Sequence, residues 1–246
     1  MRVFSKQRRF YLLKKKLSTY LVYALGEIVL IVFGILFALQ IANWNQDKND
    51  QQKVQAWRIK LTAEFEQNQL AVEQAIKDLT TVTGELSAFL SLMGPEPEIA
   101  EDNKIYNYIA VYFWNPSYTP RTIVFDQFVD SGDIDLLNDL VLKDALLEWK
   151  TAIRNNQMLV ESISSHQDTM AEGWQDLYRW KSSIAMTGWI KHMPESQFPF
   201  DQNALLSSPA LENAVSMKLI LTEMQRLNVQ TAKRQQANIL SLLMGG

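Results

Sequence analysis

From Leu21 to Ala42 the chain reads LVYALGEIVLIVFGILFALQIA, and only Glu27 and Gln40 in this run are strongly polar. At about 1.5 Å per residue the run covers roughly 33 Å, enough for a hydrocarbon core of about 30 Å. A core helix of a soluble domain is rarely apolar on every face for so many turns. Tyr20 and Tyr23 lie at one end and Trp44 at the other, where interfacial aromatic anchors belong. The pattern predicts a transmembrane helix over 17–44. A cleavable leader has a shorter apolar stretch, and cleavage after Ala42 would put Gln40 where a small residue is needed. The segment therefore reads as an uncleaved signal anchor.

Beyond it, Asn45 to Gln52 is polar but holds no Pro or Gly. Val54, Trp57, Leu61, Phe65, Asn68, Val72, Ile76, Leu79 and Thr83 then recur at gaps of 3, 4 and 4. That period of about 3.67 residues predicts one long helical stalk over 45–93 with a nearly straight stripe. Gly94-Pro95-Glu96-Pro97 ends it.

Over 94–246 the punctuation predicts further helices. One covers about 103–114, and Asn115-Pro116 ends it. Thr119-Pro120 reads as a cap with Pro at the first helical position, opening a helix that stops at Ser131-Gly132. Asp139 opens a longer helix reaching roughly Trp180. Ser208-Pro209 opens the last, with Leu211, Val215, Leu219, Met224, Leu227 and Ile239 among its apolar positions. No period-two alternation persists long enough for a sheet. The expected fold is all-α: one N-terminal transmembrane helix continuing into the stalk, and an extracytoplasmic helical bundle over 94–246 that packs with it.

Charge orients this arrangement. The net charge of −3 conceals a tail, 1–16, with seven Lys and Arg and no acid, so the remainder carries −10. By the positive-inside rule the tail is cytoplasmic and everything after Trp44 is exported, which in a two-membrane bacterium places the domain in the periplasm and the anchor in the inner membrane. Beside a membrane helix the basic run implies contact with anionic lipid rather than nucleic acid. The chain has no Cys, which excludes disulfides and thiolate metal sites.

Gly26-Glu27-Ile28, Gly34-Ile35, Ala38-Leu39-Gln40-Ile41 and Asn43-Trp44-Asn45 form a pattern that resembles the anchor of a bacterial family of uncharacterised single-pass membrane proteins, a domain of unknown function. A second stretch, Thr119 to Trp149, resembles the same family through Thr122, Phe125, Phe128, Ser131-Gly132 and Leu136-Leu137. Trp149 departs from it, since a tyrosine is expected there. The resemblance implies the single-pass topology and an all-helical domain, and it brings no activity.

Candidate chemistry is sparse. His166 and His192 are the only histidines; Asp168 and Glu172 join His166 in no metal-ligand spacing, so a solvated helix face is the plain reading. No phosphate-cradling glycine loop or nucleophile–base pair is present, so neither catalytic nor metal residues are assigned, no cofactor is expected, and the chain reads as a non-enzyme. Three features remain. Glu27, Gly34 and Ala38 share one helical face, placing an ionisable group beside small residues that permit close helix approach in the membrane. Asn68 interrupts the apolar stripe, as a register-setting residue between helices would. Trp174, Tyr178, Trp180 and Trp189 either line a ligand pocket or pack as core. The leading expectation is a structural or interaction component of the envelope that assembles with itself or with an envelope partner. The alternatives are a sensor or ligand-binding module acting through a partner subunit, and an ion-conducting oligomer using Glu27.

Overall fold

The structure, a computed structural model, describes residues 4–187 and 190–245, with side chains from residue 23 onward apart from that of Thr187. Seven α-helices and no strand occur among the described residues: α1 (Phe4–Leu90), α2 (Asp102–Phe113), α3 (Ile123–Asp130), α4 (Leu140–Ala171), α5 (Trp180–Thr187), α6 (Gln202–Leu206) and α7 (Pro209–Met244). Single 3₁₀ turns lie at Asp133–Leu136 and Gln175–Leu177.

Two compact units divide the chain, Met1–Ala56 and Trp57–Gly246. The segment read as a stalk is thus shared: residues 45–56 fall in the first unit, and 57–90 are the first long helix of the second. In the second unit α1 and α7 run antiparallel. Arg58 Nη1 donates to Leu242 O at 3.0 Å, and Glu73 pairs with Lys233 at 3.0 Å. α4 runs alongside α1 in the same direction, with Arg58 near Asp139 at 3.5 Å and Phe65 against Trp149. The stripe read from the sequence is buried at Leu61, Phe65, Asn68, Val72 and Leu79. It then shifts to Val82, Leu86 and Phe89, which pack on α2, Trp174 and the start of α7.

Local signals explain most boundaries. Asp139 caps α4 by accepting from Leu142 N, and Ser208 caps α7 with Pro209 in its first turn. Gly132 stops the chain after α3 at φ +77°, a left-handed conformation that glycine adopts without a Cβ clash. Two boundaries differ from expectation. α4 ends at Ala171, and the following Trp174 turns into the core. α3 starts at Ile123 with Thr122, not Thr119, as its cap residue. Residues 114–122 between α2 and α3 are non-helical, and their backbone is claimed by side chains of the three long helices.

Candidate functional site

Near its N-terminus α1 is long and apolar enough to cross a membrane: an 18-residue window reaches mean hydropathy 2.4 and none of it is buried. Tyr23, Leu30, Phe33, Phe37 and Trp44 are all at least two-thirds exposed. Burial of large apolar side chains is the main drive to fold, and a helix bare on every side is a candidate membrane span. Glu27, Gly34 and Ala38 are exposed too, and a Cβ at Gly34 would meet nothing within 4 Å. Their shared face is therefore open along this helix. The side chain of Tyr20 lies outside the described residues.

In the second unit the extended segment is held by a ladder of buried polar side chains. Gln167 on α4 donates to Tyr112 O, and Lys218 Nζ on α7 donates to Trp114 O at 3.4 Å. Gln225 donates to Pro116 O at 2.9 Å, and Asn156 donates to Tyr118 O at 3.2 Å. Asn68 on α1 takes both backbone groups of Arg121, accepting from its N–H and donating to its C=O, each at 2.8 Å. Glu64 accepts from Val124 N at 2.8 Å and Phe125 N at 2.9 Å, capping α3 from outside. Tyr118 donates to Gln236, which donates to Phe65 O. Buried backbone polar groups must find partners, and a non-helical stretch inside a helical bundle finds them in side chains.

Asn68 thus ties α1 to this segment rather than setting register against another helix. Asp168 and Glu172 are exposed, as a solvated face requires, but His166 is half-buried. Its Nε2 is enclosed without a hydrogen-bond partner among the described residues, and burial, then the nearby Lys218, push its pKa down. Lys218 is 1% exposed and has no ion pair among the described residues; its ammonium is also held by Asn115 Oδ1. Burial alone lowers it to about 7. Because the unfolded chain binds this proton up to about pH 10.5, the penalty is full below pH 7 and is relieved as pH rises from 7 to 10.5. Between pH 6.5 and pH 9 the unmodified chain is accordingly expected to gain about 2–3 kcal/mol of stability relative to Lys218→Met. Denaturant unfolding at the two pH values measures it.

The aromatic residues separate. Trp174 and Tyr178 are core, with Trp174 edge-on to Tyr112 at 5.6 Å, while Trp180 is half-exposed against Phe113 at 4.6 Å. Trp189 lies outside the described residues. Of the apolar positions read on α7, Leu211, Val215 and Ile239 are buried, while Met224 and Leu227 are exposed; its otherwise apolar buried face also carries Lys218, Thr222, Gln225 and Gln236. These ladder residues escape a hydrophobicity reading; their 7- and 11-residue intervals are the only trace they leave.

The model of a family of unknown function, DUF6090, matches residues 27–157. The chain belongs to that family. The DUF6090 match begins at Glu27, takes in Gly34, Ala38, Trp44, Glu64 and Asn68, spans the whole extended segment and ends just beyond Asn156. Gln167 and the α7 half of the ladder lie outside it. No curated protein and no solved structure matches the chain.

Proposed function

We propose that this chain is a single-pass protein of a bacterial inner membrane, with a cytoplasmic basic tail and a periplasmic helical domain, acting as a non-enzymatic structural or interaction component of the envelope. The observation that carries the reading is the fully exposed apolar surface of α1 between Tyr23 and Trp44. Lipid is the solvent in which such a surface is stable, and the seven positive charges ahead of it favour an N-inside orientation. The ladder supports a rigid scaffold: its polar groups are consumed in holding backbone and are not left free to act on a substrate. Contacts with anionic lipid, with further copies of the chain or with an envelope partner follow from this reading, with Glu27, Gly34 and Ala38 as the face for helix–helix contact in the membrane.

Alkaline phosphatase fused after Gly246 should be active, and a reporter that folds only in the cytoplasm should be silent at the same position. The reverse pattern would overturn the assignment of the domain to the periplasm.

A further inference from the structure

We propose that the cleft between α3 and α4 binds a small carboxylate, with Arg154 and Gln157 taking the carboxylate group and Phe125 and Ile153 the hydrocarbon body. The cleft has a volume of about 190 Å³. Sites for drug-sized molecules run to ~300–1,000 Å³, so the occupant is a smaller molecule. Every residue lining the cleft lies in the second unit and within the stretch that the DUF6090 model matches. The site adds ligand recognition to the scaffold reading above and does not depend on the topology.

Two cations and one anion line the cleft: Lys150, Arg154 and Asp126. Asp126 is already used on both oxygens. Thr122 Oγ1 donates to its Oδ2 at 2.7 Å, and Lys150 Nζ donates to its Oδ1 at 3.3 Å. Lys150 also stands 5.3 Å from the centre of the Phe125 ring, so it is held from two sides. Arg154, one turn further along α4, is exposed and has no hydrogen bond or ion pair among the described residues. One net positive charge is therefore left at the cleft. It sits on the side chain whose planar fork of N–H donors matches a carboxylate. Gln157 follows three residues on, on the same helical face, and its amide is a further donor with no partner among the described residues.

The rest of the lining selects the body of the ligand. Phe125 and Trp149 are fully buried, edge to face at 5.5 Å, and Ile153 is half-buried beside them. An apolar floor thus lies under a cationic rim. A hydrated inorganic anion gains nothing from that floor, and the second charge of phosphate would meet Asp126 with no cation left to answer it. A neutral molecule gains nothing from the charge of Arg154. A monocarboxylate with a short aromatic or aliphatic body uses both. Lys150, Arg154 and Gln157 hold no backbone group of the extended segment, so binding does not compete with the ladder.

Benzoate is the probe, titrated into the full-length protein in mild detergent and followed by saturation-transfer NMR. Saturable binding with a Kd below about 1 mM is expected. Benzamide has the ring without the charge, and inorganic phosphate has charge without the ring. Each should bind at least about tenfold more weakly. Arg154→Gln and Gln157→Glu should each weaken benzoate by about tenfold or more. Lys77→Gln, the same loss of charge at an exposed position on α1, should leave it unchanged. Both cleft side chains are exposed and without partners among the described residues, so the helical circular dichroism should be the same in all three variants. No saturable benzoate binding up to about 10 mM overturns the proposal. So does equal binding of benzamide or phosphate, an affinity that Arg154→Gln or Gln157→Glu leaves intact, or an equal loss in Lys77→Gln.

Discussion

Asn68→Leu is expected to destabilise the full-length protein by about 2–4 kcal/mol, since two backbone groups lose their partners at once. An Asn in an apolar stripe ordinarily suggests that an apolar replacement would raise stability, and the hydrogen bonds of this one reverse the sign. The amide both accepts from Arg121 N and donates to Arg121 O at 2.8 Å, and Asn68 is buried. Leu supplies neither group, and the segment at Arg121 has no helix or sheet partner to fall back on. At roughly 2–4 °C per kcal/mol for a domain of this size, the melting temperature in mild detergent should drop by about 5–15 °C. Asn68→Asp keeps the acceptor and should fall in between. A melting temperature at or above that of the unmodified protein would show that this pair contributes nothing.

Trp149→Ala should cost more, about 3–5 kcal/mol. The indole is fully buried between Phe65, at 4.5 Å between ring centres, and Phe125, at 5.5 Å. It is where α1, α3 and α4 meet, so its removal leaves a cavity walled by three elements that cannot all collapse together. Trp149→Tyr, the residue that the family resemblance leads one to expect, leaves an aromatic ring in the same place and should cost about 1–2 kcal/mol. A chevron or equilibrium denaturant series on the three proteins decides it. An alanine variant within about 1 kcal/mol of the unmodified chain would mean that the site repacks.

The all-helical class, the candidate membrane span and most helix caps were legible because each has a local cause. Asp139, Ser208 with Pro209, and Gly132 act on neighbours within one turn. The start of α3 was not legible. Thr119-Pro120 looks like a cap in isolation, but Asn68 and Glu64, more than fifty residues away, fix the backbone at Arg121 and the first amides of α3. The polar part of the inner face of α7 was hidden for a related reason. Hydrophobicity identifies an inward face only when the core it meets is apolar. Here part of it is backbone, so Lys218, Gln225 and Gln236 point in and Met224 and Leu227 point out. Nothing local distinguishes that arrangement from an ordinary amphipathic helix.

The ladder also imposes an order of events during synthesis. Pro116 leaves the ribosome 109 residues before Gln225, and Tyr118 leaves it 118 residues before Gln236. Until the last helix arrives, that carbonyl and that hydroxyl have only water as partners. The bundle therefore cannot lock one helix at a time from its N-terminal end. A chain interrupted before α7 would leave its central segment unfastened and open to proteolysis, so maturation of the domain waits on completion of its C-terminus.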